Sequence, residues 1–184
     1  PTPIYRNKLG RKLTEKELRF VQETKARCVP NTGNVTSSNN RILHHPSFVT
    51  LKKEMESFIE DYFSKILFSS KATVPYITQS WVNYTELNGY HQSHRHANSY
   101  LSGVFYIDAN KTYDKIFFIE DRYHQIAIAS TKVNTFNSDC TGFPVGSGDV
   151  VIFPSHLTHY VPKKEGNNTR ISLSFNVFVK GNLG

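Results

Sequence analysis

Three histidines and one arginine in the second half of the chain have the residue types and the order of a metal site beside an anion site. His94 and His96 precede a strand-like run of apolar residues, His159 follows a second run, and Arg170 begins a third. Imidazole nitrogens bind transition metals, and a guanidinium pairs with carboxylates in a forked geometry. The order suits a metal held inside a β-barrel, with an arginine further in that binds a carboxylate.

The spacing of His94 and His96 favours a shared metal ion. Residues two apart on an extended segment point to the same side, and His159 would add a third ligand from a distant strand end. Three ligands on one face leave positions open for a cofactor and oxygen, as in non-haem iron oxygenases. His96 stands where these enzymes typically carry a carboxylate, and no Asp or Glu lies within 88–107. An all-imidazole set also suits zinc or copper.

The remaining histidines leave two alternatives open. His91 either supports a ligand or competes with His94, and His156 competes with His159. We prefer His159 because a strand would resume directly after it. The others are interpreted as ordinary surface or hydrogen-bonded residues: His44, His45 and His124.

The run at 170–179 predicts a strand with one polar face. Buried polar groups without partners cost about 1–3 kcal/mol each, and a bound dicarboxylate would supply partners. Arg170 would hold the distal carboxylate in a forked pair, and Ser172 would add a hydroxyl donor. A hairpin through 162–168 would place Arg170 near the strand of His159; alternatively, the strand is an edge whose polar face meets water. The polar face comprises Arg170, Ser172, Ser174 and Asn176.

Two further residues are candidates for the same ligand. Tyr106 lies on the strand after His96, and its phenol could donate to the carboxylate. Asn83 shares a face with Trp81 and Gln79 on an earlier strand and could contact the cofactor or support a ligand histidine. The plainer interpretations are a core aromatic for Tyr106 and a turn residue for Asn83.

The sequence predicts helices first and strands afterwards. Thr14 to Glu17 has the Ser/Thr-x-x-Glu form of a capping box, which predicts the start of a helix. Apolar residues at helical spacing predict a second helix over 47–68, and residues 28–46 are predicted to be a loop. Glycines at 142–148 are predicted to mark turns. Strands are predicted from about residue 73, with further runs at 100–107, 115–119, 125–129, 149–153 and 170–179.

This order of elements favours an α+β fold in which helices buttress one face of a β-sandwich or jelly roll. A length of 184 residues predicts one domain over 1–184, with a helical N-terminal buttress at 1–72 and a jelly-roll core at 73–184. Hydrophobic residues at 38% and aromatic residues at 13% indicate a globular chain.

The net charge of +7 raises the question of an acidic partner such as nucleic acid. Basic residues are scattered, as at Lys163 and Lys164, so we favour a solvated surface and nucleic acid is not indicated. No apolar run approaches the ~20 residues of a membrane span, and the first residues lack a signal-peptide core. We therefore expect a cytoplasmic protein with no membrane partner. A homodimer is compatible with the sequence.

With these residues in place, the chain resembles the 2-oxoglutarate/Fe(II)-dependent oxygenase superfamily, and within it a family of oxygenases found in marine bacteria and their phages. The resemblance spans nearly the whole chain. Its motifs are specific taken together and weak taken singly. The matching stretches are 78–83, 94–99, 102–106, 148–149, 153–155, 157–159, 170–172 and 175–176, with the two ends of the chain.

The resemblance implies a double-stranded β-helix with Fe(II) on His94, His96 and His159 and with 2-oxoglutarate anchored by Arg170. It implies that 2-oxoglutarate and O2 are consumed, giving succinate and CO2, while a second substrate is hydroxylated. The identity of that substrate, a protein side chain or a small metabolite, does not transfer. Loops 85–99 and 120–147 are expected to act as lids.

Two other functions fit parts of the pattern. A jelly-roll module could bind a metal or another ligand without turnover, and the histidine in the carboxylate position favours it. A cupin-like enzyme could use three histidines and oxygen without a co-substrate. Arg170 with Ser172 has no role in either, so the oxygenase is preferred.

Overall fold

The computed structural model describes residues 2–120, 126, 128–134 and 136–182 of the chain. These residues form two α-helices and eleven strands, with 3-10 turns at Ile42–His44 and Pro46–Phe48. In chain order the elements are β1 (Tyr5–Lys8), α1 (Glu15–Lys25), β2 (Cys28–Asn31), β3 (Asn34–Ser37), α2 (Val49–Lys65), β4 (Thr73–Thr85), β5 (His91–His94), β6 (Leu101–Asp108), β7 (Lys115–Ile119), β8 (Cys140–Pro144), β9 (Asp149–Pro154), β10 (Thr158–Val161) and β11 (Arg170–Gly181).

The strands form two antiparallel sheets. The larger sheet has the order β1-β9-β6-β11-β4-β3-β2, and the smaller has the order β5-β10-β7-β8. The sheets face each other across a cavity lined by both, while the other face of the larger sheet packs against the helices. This arrangement confirms the predicted α+β jelly roll buttressed by helices.

Both helices were predicted correctly. Thr14 caps α1, and its hydroxyl accepts from the backbone of Glu17, whose carboxylate accepts from the backbone of Thr14. The apolar stripe of α2 buries Leu51, Met55 and other members of its helical spacing against the larger sheet. The main hydrophobic core therefore lies between the helices and this sheet.

Strand β11 has the two faces that its sequence predicts. Leu173 and Phe175 belong to the main core, whereas the alternating polar residues face the cavity. Gly103 on β6 lies opposite Phe175, and a Cβ atom there would come within 2.1 Å of the Phe175 ring. Because only glycine leaves that space, the tip of the Phe175 ring can lie against the β6 backbone at Gly103. Because the apolar face of β11 is packed in the core, the polar face of the strand points into the cavity.

Several predictions of local structure were wrong. Residues 28–46 are not a loop throughout, since β2 and β3 form a hairpin around Gly33, whose φ is 78°, and join the edge of the larger sheet. These two strands have four residues each and are mostly exposed, so they pair through the backbone and show no alternation of buried apolar residues to detect. Residues 140–144 form β8 despite their glycine and proline. The strand predicted at 125–129 is not formed at residues 126, 128 and 129, whereas residues 125 and 127 lie outside the described part of the chain, as does His124.

The predicted hairpin between His159 and Arg170 was also wrong. His159 is on β10, which pairs with β5 and β7 in the smaller sheet, whereas Arg170 begins β11 in the larger sheet. The segment between them crosses from one sheet to the other. No helix in the described part of the chain combines the length and apolar character needed to cross a membrane.

Candidate metal and co-substrate site

A cavity between the two sheets contains every residue that the sequence nominates for the site. The smaller sheet and the segment after β5 bring the histidines, and the larger sheet brings the polar residues of β4, β6 and β11. The apolar residues Val104, Ile116 and Val161 line the same cavity. The nominated residues are His94, His96, His159, Arg170, Ser172, Tyr106 and Asn83.

The three histidines converge on one point. His94 ends β5 and lies directly opposite His159 on β10, so strand pairing sets the distance between the two rings. His96 follows β5, and its backbone N–H donates to the carbonyl of Ser155 at 3.0 Å. The potential ligand atoms of the three rings all lie within 4.8 Å of one another, and Nε2 of His94 is 3.1 Å from Nε2 of His96. This spacing fits three ligands of one ion.

Each of these rings has its Nδ1 atom bound to the protein. His94 Nδ1 donates to the carbonyl of Gln92 at 2.7 Å, and His159 Nδ1 donates to the carbonyl of Leu157 at 3.0 Å. His96 Nδ1 donates to Oδ1 of Asn176 at 2.6 Å. Because these oxygens can only accept, the proton is on Nδ1 and the lone pair is on Nε2. The protein therefore directs three metal-binding lone pairs into the cavity.

A chain of small polar side chains supports His96. The hydroxyl of Ser102 lies 2.8 Å from His96 Nδ1 and donates to Oδ1 of Asn176 at 3.0 Å. Ser102 is also 2.8 Å from the hydroxyl of Ser155, which donates to Ser99 at 2.8 Å. Outer contacts of this kind fix the orientation of a ligand ring. The sequence placed Asn176 on the polar face of β11 but gave no signal for its role beside His96.

Burial favours the neutral form of His159 and of His96. It lowers the pKa of His159 to about 3, with the neighbouring His94 as the second cause. Burial also lowers the pKa of His96, against the opposing effect of its hydrogen bond to Asn176. The pKa of His91 falls to about 4 for the same main reason. Since a metal ligand must be deprotonated, the cavity favours the form of the rings that binds metal.

The structure separates the competing histidines. His156 is exposed, whereas His159 is buried and faces the cavity. His91 lines the cavity and stacks on His94 with 4.3 Å between ring centroids, but it is not one of the converging trio. Its position supports the ring of His94 instead.

A row of three polar residues crosses the larger sheet at the other side of the cavity. Ser172 on β11 lies opposite Asn83 on β4 and opposite Tyr106 on β6. Burial raises the pKa of Tyr106, so its phenol stays a neutral donor. Arg170, with 3% of its surface exposed, lies two residues from Ser172 on the same face.

Asn83 carries an unsatisfied polar atom in this row. Its Nδ2 donates to Ser174 at 3.2 Å, and its Oδ1 is buried without a hydrogen-bond partner among the described residues. Turning the amide over would let Ser174 donate to Oδ1 and would point Nδ2 at a bound carboxylate. The donors on Arg170, Ser172, Tyr106 and Asn83 fit an acidic co-substrate, as the three Nε2 atoms fit a metal.

Comparison with known proteins identifies the family. The profile of the family described as "Putative 2OG-Fe(II) oxygenase" matches residues 79–176, more than half of the chain. The chain belongs to this family. Fe(II) and 2-oxoglutarate are the cofactors of the family, so the cofactors predicted from the sequence are confirmed. No protein with curated annotation matches the chain.

Solved structures show the same fold. An oxidoreductase of the 2OG-Fe(II) oxygenase family from Burkholderia pseudomallei has a TM-score of 0.60 at 14% identity, over 94% of this chain and 84% of that one. HygX from Streptomyces hygroscopicus, solved with nickel, 2-oxoglutarate and hygromycin B bound, has a TM-score of 0.60 at 11% identity, over 99% and 84%. A prolyl-4-hydroxylase from Pseudomonas putida has a TM-score of 0.57 at 10% identity, over 98% and 94%.

Proposed function

We propose that the protein is a hydroxylase that oxidatively decarboxylates 2-oxoglutarate and hydroxylates a C–H bond of a second substrate. His94, His96 and His159 would bind Fe(II) through their Nε2 atoms. Arg170, Ser172, Tyr106 and Asn83 would bind 2-oxoglutarate. The second substrate would be a protein side chain or a small metabolite.

One observation carries the proposal: three imidazoles converge within 4.8 Å, and each has its Nδ1 atom hydrogen-bonded to the protein. A ligand set of neutral rings leaves the full charge of Fe(II) in the cavity, because the third position is His96 rather than a carboxylate. A cation of undiminished charge attracts an anionic chelator strongly. The 2-oxo acid end of 2-oxoglutarate is such a chelator.

The far end of 2-oxoglutarate carries a second carboxylate, for which the cavity offers a matched set of donors. Arg170 can pair with both oxygens, and Ser172 is two residues further along the same face. Tyr106 and Asn83 flank Ser172 on the neighbouring strands and add one donor each. A dicarboxylate would thereby satisfy the polar face of β11.

When bound, Fe(II) and 2-oxoglutarate supply the activation of O2, with succinate and CO2 as products of the co-substrate. The chain positions these groups and keeps bulk water away. Val104, Ile116 and Val161 add apolar wall to the cavity. Low exposure also strengthens the electrostatic pairing of Arg170 with a carboxylate.

Hydroxylation is one of several outcomes seen among proteins with this fold. The fold neighbours include a prolyl-4-hydroxylase, the epimerase SnoN and the carbocyclase SnoK from nogalamycin biosynthesis. Isotopically labelled O2 distinguishes these outcomes. Hydroxylation puts one labelled oxygen atom into succinate and the other into the product. Labelled succinate with an unlabelled product would overturn the proposed hydroxylation and leave the oxygenase family intact.

A further inference from the structure

A buried cluster of three charged side chains lies directly behind the cavity. Asp114 Oδ1 is 3.3 Å from NH1 of Arg170 and 3.5 Å from Nζ of Lys164. The side chains of Asp114 and Lys164 are 0% exposed, and that of Arg170 is 4% exposed. The sequence suggested that Lys164 belongs to a solvated surface, and the structure shows that this was wrong.

Asp114 is held rigidly just before β7. Its Oδ2 accepts from the backbone N–H of Asn110 at 2.8 Å, and its own N–H donates to the carbonyl of Asn110 at 2.7 Å. The remaining oxygen, Oδ1, faces Arg170 and Lys164. A carboxylate fixed in this way can set the orientation of the guanidinium that pairs with it.

Lys164 is also fixed, although it lies in the segment that crosses between the two sheets. Its Nζ donates to Oδ1 of Asn168 at 3.0 Å. Its backbone N–H donates to Gly89 at 2.8 Å, and its carbonyl accepts from Asn88 at 2.9 Å. The ammonium group is therefore placed beside Asp114 by contacts of both its side chain and its backbone.

The charges of the three groups determine whether the Arg170 guanidinium is available to bind a carboxylate. A buried pair of Asp114 and Arg170 alone would be neutral, so Asp114 would compete with any incoming carboxylate for the guanidinium. Lys164 adds a second cation, and the cluster keeps one positive charge. Burying unbalanced charge is costly, and an anion bound in the cavity would remove that cost.

We propose that Lys164 is a positioning residue of the co-substrate site: it offsets Asp114, so that Asp114 orients Arg170 without neutralising it for the distal carboxylate of 2-oxoglutarate. The inference rests on the proposed function of the cavity. It assigns to Lys164 and Asp114 a role in co-substrate affinity, although neither lines the cavity.

Two variants separate charge balance from a purely structural role. Lys164→Gln removes the offsetting cation and leaves a neutral Asp114–Arg170 pair. Combining it with Asp114→Asn restores the single positive charge, and the Asn amide oxygen can still accept from Arg170. The readout is the dissociation constant of 2-oxoglutarate for the Fe(II)-loaded protein without oxygen. The control ligand, 2-oxopentanoate, keeps the chelating end and lacks the distal carboxylate.

We expect Lys164→Gln to weaken 2-oxoglutarate binding at least about tenfold, as for other buried charge partners. The double variant should regain most of that loss, and 2-oxopentanoate and Fe(II) should bind all forms alike. If Lys164→Gln does not fold, Lys164→Met can be used in the same binding measurements, because its apolar side chain fills the same space without the charge.

Wild-type affinity in Lys164→Gln, or a double variant weaker than the single one, would overturn the role of Lys164. A wild-type protein that does not bind 2-oxoglutarate would instead overturn the proposed function. The two failures are therefore distinguishable.

Discussion

Asn176 accepts a hydrogen bond from His96 over 2.6 Å and lies on the same face of β11 as Arg170. One strand thus contacts both ends of the cavity, the histidine end through Asn176 and the carboxylate end through Arg170. Phe175 and its neighbours hold the opposite face of the strand in the main core. Packing on the helix side therefore fixes the distance between the two ends.

Replacing Asn176 tests its support of His96. Asn176→Ala removes the acceptor that fixes the proton on Nδ1, and we expect metal affinity to fall about 10–100-fold. Titration of metal-free protein with Fe(II) measures the effect. Ser174→Ala is the matched control, because Ser174 lies on the same face but bonds to Asn83. Equal metal affinity in both variants would show that the Asn176 contact is incidental.

His96 and His91 allow a direct comparison of a proposed ligand with a neighbour. Both are in the cavity, and only His96 belongs to the converging trio. His96→Ala should weaken Fe(II) binding at least about 100-fold, more than the loss of an outer contact. His91→Ala should keep one Fe(II) per chain. The opposite ranking would mean that His91 is the third ligand.

Arg170 should affect co-substrate binding and leave metal binding unchanged. Truncating one partner of a buried charge pair costs about 2–5 kcal/mol, so Arg170→Ala should weaken 2-oxoglutarate at least about 30-fold. Arg170→Lys keeps the charge and loses the forked geometry, which predicts an intermediate affinity. Anaerobic calorimetry with Fe(II)-loaded protein measures both. A parallel loss of Fe(II) would indicate that the cavity had collapsed.

The stability of the metal-free protein should depend on pH through His159. Its pKa in the folded state, about 3, lies below the usual value of 6.5, so the unfolded state binds more protons between these values. The contribution of His159 to the free energy of unfolding is fully present above pH 6.5 and is lost as the pH falls toward 3. Urea unfolding across this range should show a falling free energy of unfolding, with a shallower fall in His159→Gln. His156→Gln, which removes an exposed histidine outside the cavity, is the control variant.

The sequence predicted those parts of the fold that depend on local pattern. The helical spacing of Leu51 and Met55 and the alternation along β11 follow from which face is buried, so both were read correctly. Strands β2 and β3 are short, mostly exposed strands held by backbone pairing at one end of the larger sheet, and β10 and β11 belong to different sheets. Neither property leaves a mark in the spacing of residues, which explains the wrong loop and the wrong hairpin.

In the candidate site, too, the sequence predicted only those residues that have a recognisable pattern along the chain. The histidines and Arg170 were found because their order along the chain is distinctive. Asp114 and Lys164 come from two separate connecting segments and meet only in the folded chain. Lys164 lies between exposed residues in sequence, and its burial depends on contacts with residues far away in the chain.

The central claim is that the histidine trio and the polar row form one site for Fe(II) and 2-oxoglutarate. The most direct test adds Fe(II) and then 2-oxoglutarate to metal-free protein without oxygen and follows the visible absorption spectrum. A charge-transfer band that needs both additions is the predicted result, because it reports 2-oxoglutarate chelated to iron. Fe(II) binding with no band at saturating 2-oxoglutarate would contradict the claim.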